Sequence, residues 1–176
     1  MIQLHDKQFV PFISAEEIDF AIATMAKQVE ADFADETPVF VGILNGAFMV
    51  VSDFMKHYKS PCEVSFMKMS SYEGTSTTNE VKQLIGLNQD LSGKTVIVIE
   101  DIVDTGNTLE ELKSLFKKQN VKHFKIATLF LKPDAYKKDI KLDYVGIRIP
   151  NKFIVGFGLD YDGLGRNLPE VYQLHE

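Results

Sequence analysis

One cysteine, Cys62, stands in 176 residues, so no intramolecular disulfide can staple this fold and its stability has to come from a packed core. The chain is long enough to build one as a single domain, and it needs no linker. It has no apolar run approaching the roughly 20 residues of a membrane-spanning helix. A cationic, apolar N-terminal segment of the signal-peptide kind is also missing, which together with the lone thiol points to the reducing cytoplasm. Basic excess is lacking too: 19 Lys and Arg against 25 Asp and Glu leave a net charge of −6. That balance excludes generic nucleic-acid binding, because phosphate backbones select basic surfaces. An anionic small molecule is admissible where local groups or a metal receive it. There is no tryptophan, internal repeat or low-complexity tract.

What is present reads as alternating elements. Ser14 and Glu17 have capping-box spacing, and Ile18, Ile22, Met25 and Val29 follow on one helical face. TPVFVGIL (37–44) predicts a strand, NGA a turn and FMVVSDFMKHY (48–58) a helix. CEVSFMKMSSY (62–72) predicts a strand, EGTSTTNEVK (73–82) a polar mobile loop, and QLIGLN (83–88) a strand returning from an excursion outside the main sheet. TVIVIEDIVDTGNTLEELKSLF (95–116) begins as a buried strand and ends as a helix with Leu109, Leu112, Leu115 and Phe116 in helical period. KIATLFL (125–131), YVGIRI (144–149) and FIVGFGL (153–159) are further strands. The class is therefore α/β: an open, mainly parallel twisted sheet flanked by helices, with a small lobe formed by the chain ends.

The chemistry concentrates at residues 100–108. Glu100 and Asp101 directly follow an apolar strand, where two acids are costly unless solvated, paired or bound to a ligand. Asp104-Thr105-Gly106-Asn107-Thr108 then enters a helix, a junction whose free N–H groups and hydroxyls suit an anion. The plainer reading is that Asp104 or Thr105 caps the helix, but a cap leaves Glu100 and Asp101 unexplained. Three look-alike motifs fail on context. Asp-Thr-Gly of aspartic proteases belongs to an all-β fold. Gly93-Lys94-Thr95 enters a strand and has no glycine at P-loop spacing before it. Asp160 to Gly163 lacks the glycine position and the twelfth-position acid of a calcium loop.

On these residues, VIVIEDIVDTGNTL resembles the phosphoribosyl-diphosphate signature of type I phosphoribosyltransferases. GILNGAFM (42–49) resembles the family's pyrophosphate loop, SSYEGTSTT (70–78) its catalytic loop, and LFLK (129–132) the strand with its purine-binding lysine. DYVGIRIPNKFIVGFGLDYDGLGRNLPEVY (143–172) is similar to the hood of the 6-oxopurine branch. The resemblance implies the type I phosphoribosyltransferase fold, with a core of approximately 37–145 and a hood from 1–14 and 146–176. It implies Mg²⁺-dependent transfer of phosphoribosyl from phosphoribosyl diphosphate to N9 of hypoxanthine or guanine, giving IMP or GMP and pyrophosphate. A homodimer or homotetramer is expected, with neither nucleic acid nor membrane as partner.

Residue by residue, the resemblance gives Glu100 and Asp101 the ribose hydroxyls, directly or through the metal, and residues 104–108 the 5′-phosphate. Asp104 would be either the general base at N7 or a stabiliser of positive charge on the ribosyl carbon. Lys132 would donate to the purine O6, Phe153 would stack on the base, and Lys152 and Ile154 would meet its polar edge through their backbones. Taken alone, Phe153 would be a core residue. Asp160 would serve the base side and, with Glu100 and Asp101, the metal. Asn45, Gly46 and Arg166 would hold pyrophosphate, and Ser71 and Tyr72 would close over the site. One departure stands out: Asn45 replaces the family's usual Lys or Arg, so one cation is missing from the pyrophosphate loop. The alternative function is a phosphoribosyltransferase-like regulator that senses phosphoribosyl diphosphate. It calls for a basic face, and this acidic chain shows no sign of one.

Overall fold

Ser14 and Glu17 form the expected capping box. The Ser14 hydroxyl accepts from the Glu17 N–H at 3.3 Å, and the Glu17 carboxylate accepts from the Ser14 N–H at 2.9 Å. Helix α1 follows over Ala15–Asp32 and buries Ile18, Ile22, Met25 and Val29. The structure is a computed structural model that describes residues 1–70, 82–85 and 89–175. Ahead of α1 the chain forms a hairpin of β1 (Ile2–Leu4) and β2 (Lys7–Ile13).

The main sheet contains β3 (Val39–Leu44), β4 (Glu63–Ser70), β5 (Lys82–Ile85), β6 (Thr95–Val103), β7 (His123–Leu131) and β8 (Tyr144–Arg148). Their order is β5-β4-β3-β6-β7-β8, parallel throughout except for β5, which runs antiparallel to β4 at the edge. Helix α2 (Phe48–His57) connects β3 to β4, and α3 (Asn107–Lys118) connects β6 to β7. The central strands β3, β6 and β7 carry buried apolar runs on both faces because both are covered. Phe40, Ile97 and Ile99 face the core under α1 and α2, while Val39, Val41, Val96 and Val98 face that under α3. From β3 the chain crosses to β4 on one side, and from β6 it crosses to β7 on the other. The carboxyl ends of β3 and β6 therefore flank the point where strand order reverses, which is where open α/β sheets bind ligands.

The chain ends build a second, antiparallel sheet with β9 (Ile154–Val155) and β10 (Val171–Leu174), in the order β1-β2-β10-β9. Its Ile154 and Val171, with Phe157 and Leu159, join the core under α1 and α2.

Two strand readings are corrected. Residues 153–159 are strand only at Ile154–Val155, because Gly156, Phe157 and Gly158 take positive φ and turn the chain. Residues 83–88 were expected outside the main sheet, yet β5 pairs with β4 as its edge. Residues 1–14, expected as part of the hood lobe, form β1 and β2, and β2 contains Pro11. That proline lies past Phe9, the last residue of β2 that β1 pairs, a place where a missing N–H is tolerated. The polar loop falls largely on residues 73–81, outside the described residues.

The rings of Phe40, Phe54 and Tyr58 pack at 5.3, 5.0 and 6.3 Å beneath α2. Phe54 is fully buried. Phe54→Ala is expected to cost about 3–5 kcal/mol of unfolding free energy, read as a lower denaturant midpoint at unchanged slope; a midpoint equal to the parent's would contradict this account of α2.

Candidate active site

β6 carries its apolar run directly into Glu100 and Asp101, so both acids arrive at the sheet's carboxyl end with little water around them. Glu100 is 6% exposed. Burial, reinforced by the charge of Asp101, holds its pKa well above the ordinary carboxylate range. Burial likewise raises Asp101 to about 6; the Ile102 N–H bond at 2.8 Å and the Arg166 charge oppose the rise, and Asp160 adds to it. Burial thus disfavours the charged form of both acids until positive charge arrives.

Gly106 begins α3 with φ +83°, and a Cβ there would lie 2.5 Å from the Tyr136 ring. Only glycine fits this left-handed, crowded position. No side chain caps the helix, so the capping role considered for Asp104 or Thr105 is not adopted. The start of α3 keeps free N–H groups toward the crevice. Asp104 instead accepts from Lys132 Nζ at 2.9 Å, and Lys132 is 8% exposed. A cavity of about 320 Å³ is lined by residues 100–109, with Ile43, Leu44, Met69 and Glu111 completing its wall.

The loop after β3 meets these acids from the other side. The Leu44–Asn45 peptide is cis, Asn45 is exposed and Gly46 is buried. A Cβ on Gly46 would sit 1.5 Å from Asp101 Oδ2, and one on Gly158 would sit 2.0 Å from the Gly46 carbonyl. Three segments distant in sequence thus converge with no room for a methyl group. Over this junction Arg166 donates to the Gly158 carbonyl at 2.7 Å and pairs with Asp160 at 2.7 Å.

Of the residues expected to hold a purine, Lys132 follows β7 of the main sheet whereas Lys152, Phe153, Ile154 and Asp160 lie in the hood, and none of these five lines this cavity. Phe153 is 45% exposed rather than a core residue. It sits among Phe9, Tyr161 and Lys7. Ile154 is buried in β9, and the Lys152 N–H donates to the Pro150 carbonyl at 2.7 Å. Ser71 and Tyr72 lie outside the described residues. Sequence reasoning missed Met69, Glu111, Tyr136, Lys7 and Tyr161, whose places depend on strand order and loop contacts. Among the described residues, no group of three or more His, Cys, Asp or Glu side chains is arranged to hold a metal alone.

A switch-point crevice with an acid pair, an anion cradle and a glycine loop is the site plan of a phosphoribosyl-transferring enzyme. Residues 14–162 match the family model of the phosphoribosyl transferase domain, and the chain belongs to that family. Its relatives narrow the branch. The hypoxanthine-guanine phosphoribosyltransferase of Streptococcus agalactiae serotype V is 43% identical over 164 residues, 93% of this chain and 91% of that protein. That of Streptococcus thermophilus is 44% identical over the same shares. The crystal structure of a hypoxanthine-guanine phosphoribosyltransferase from Bacillus anthracis superposes with a TM-score of 0.89 at 37% identity, covering 97% of this chain and 100% of that one.

The raised Asp101 pKa carries a stability consequence. Because the folded value, about 6, exceeds the ordinary 3.8, this group favours the fold below the ordinary value and loses that contribution as pH rises through 6. Asp101→Asn keeps an acceptor for the Ile102 N–H. It is expected to raise the unfolding temperature of the unliganded protein at pH 8 by a few degrees, on the order of 2 kcal/mol, with the gap closing toward pH 4. A variant less stable than the parent at pH 8 would show that the carboxylate is not strained by burial.

Proposed function

We propose that this chain transfers the 5-phosphoribosyl group of phosphoribosyl diphosphate to N9 of hypoxanthine or guanine, releasing pyrophosphate and forming IMP or GMP. The observation that carries the reading is the convergence of Glu100 and Asp101, the 104–108 cradle and Gly46 at the β3–β6 switch point, in a chain whose relatives bear hypoxanthine-guanine phosphoribosyltransferase names. The whole chain acts as one phosphoribosyltransferase domain, core approximately 37–145 and hood 1–14 with 146–176, working in the cytoplasm as a homodimer or homotetramer.

In this reading the N–H groups and hydroxyls of residues 104–108 hold the 5′-phosphate, and Glu100 and Asp101 accept from the ribose hydroxyls. Asn45 and Gly46 offer backbone N–H groups to the pyrophosphate, with Arg166 as its cation. Lys132 donates to O6, which favours a 6-oxo over a 6-amino purine because an ammonium cannot accept. Phe153 stacks on the base, and the backbones of Lys152 and Ile154 with Asp160 meet its edge. Asp104, kept beside the purine by Lys132, takes the N7 proton as N9 forms its bond to the ribosyl carbon and pyrophosphate leaves. Ser71 and Tyr72 exclude water from the activated sugar.

Mg²⁺ fits the acid pair: the donors are hard oxygens, the two buried carboxylates lack a cation within ion-pair distance among the described residues, and this ion is commonly held by one or two carboxylates plus substrate oxygens. Glu100 and Asp101, with Asp160 nearby, would hold it, and it would neutralise charge building on the departing pyrophosphate.

The direct test mixes the protein, Mg²⁺ and phosphoribosyl diphosphate with hypoxanthine, guanine, xanthine or adenine and measures pyrophosphate and nucleotide. Turnover of hypoxanthine or guanine is expected; none with any 6-oxopurine would sink the proposal. Asp104→Asn is expected to lower kcat about 10²-fold or more with nucleotide affinity little changed, whereas Thr108→Ala mainly weakens binding. The reverse pattern would overturn these roles. Asn45→Lys restores a cation at the exposed loop position and is expected to lower the Kd for phosphoribosyl diphosphate severalfold, measured by calorimetry; an unchanged Kd would show that backbone and Arg166 already suffice.

A further inference from the structure

We infer that Tyr161 and the N-terminal hairpin position Phe153 and so set purine affinity, an inference that rests on Phe153 being the stacking residue. A phenylalanine 45% exposed has rotamers to choose among, and ordering it on binding would cost affinity. Here that freedom is removed in advance. Tyr161 meets the Phe153 ring edge to face at 5.9 Å and 87°. Phe9 lies 6.3 Å from Phe153 and 6.0 Å from Tyr161, and Lys7 Nζ stands 5.9 Å over the Phe153 ring and 4.8 Å over that of Tyr161.

Tyr161 is fixed from the hairpin as well. Its hydroxyl donates to Asp6 Oδ1 at 2.7 Å, and that carboxylate raises the phenol pKa, keeping the donor protonated. His5 Nε2 lies 3.1 Å from the Asp162 carbonyl, and its ring meets Tyr161 edge to face at 5.8 Å. His5, Asp6, Lys7 and Phe9 thus all bear on Phe153 or on the turn that supports it. These four residues precede the 14–162 match to the family domain. None of them lines the cavity of the acid pair and phosphate loop, which separates base affinity from sugar-phosphate affinity. Tyr161 is a positioning residue: it acts through Phe153.

The test compares steady-state constants for Tyr161→Ala, Tyr161→Phe and Phe153→Ala. Tyr161→Ala is expected to raise the KM for hypoxanthine about tenfold, while kcat and the KM for phosphoribosyl diphosphate stay within about twofold. Tyr161→Phe keeps the ring edge and is expected to recover most of the loss. Lys7→Met, a surface change that does not threaten folding, is expected to raise the hypoxanthine KM about threefold. An unchanged hypoxanthine KM in Tyr161→Ala, beside a raised one in Phe153→Ala, overturns positioning and leaves stacking intact. An unchanged KM in Phe153→Ala overturns the stacking reading itself. A parallel rise in both substrates' KM values with a lowered unfolding temperature marks a merely structural role and also overturns the inference.

Discussion

Two carboxylates held where water is scarce are the constraint around which this site is organised. A strand buried on both faces delivers Glu100 and Asp101 to its end, and the fold accepts most of the resulting desolvation, with the Arg166 charge opposing it only in part at Asp101. The surrounding geometry follows. Gly46 has to lack a side chain because Asp101 occupies that space, and Gly158 has to lack one because the Gly46 carbonyl does. Three backbones come together at the switch point, leaving the acids as the feature with the most to gain from a positively charged or hydroxyl-rich ligand.

The cations of the site are already engaged. Lys132 holds Asp104, and Arg166 holds Asp160. A buried lysine such as Lys132 needs a partner, since an unpaired ammonium in that environment would lose far more than the pair gains. These pairs keep the two charges aimed before any ligand is present, one at the end of β7 and the other over the Gly46 loop. In the proposed reaction the ligand shares these partners rather than replacing water, which lowers the reorganisation needed during chemistry.

Much of this was legible in residue order. The buried strand before Glu100, the glycine turn into α3 and the capping box of α1 depend on neighbours a few positions apart, and sequence records such spacing directly. Strand order is different: nothing in GILNGAF states that β3 lies beside β6, so the contact of Gly46 with Asp101 could not be read from sequence. The hood was harder still. Residues 153–159 are apolar enough to pass for one strand, but Gly156 and Gly158 turn it at positive φ and pack so close to the Glu170 and Gly46 carbonyls that no Cβ would fit. The place of Pro11 in β2 depends likewise on how far β1 extends, which residue order does not state.

In the proposed reading, the hood supplies at Asn45 what the core loop lacks. At an exposed loop position, an asparagine supplies no charge, and the adjacent Gly46 supplies only backbone. Arg166 reaches the same junction from the opposite lobe, anchored through the Gly158 carbonyl that packs beside the Gly46 loop. The positive charge of the proposed pyrophosphate site is therefore assigned to the lobe built from the chain ends rather than to the β3 loop. In the proposed reaction that links the sheet formed by β1, β2, β9 and β10 to the chemistry twice: through Phe153 on the base side, and through the turn carrying Arg166 on the leaving-group side.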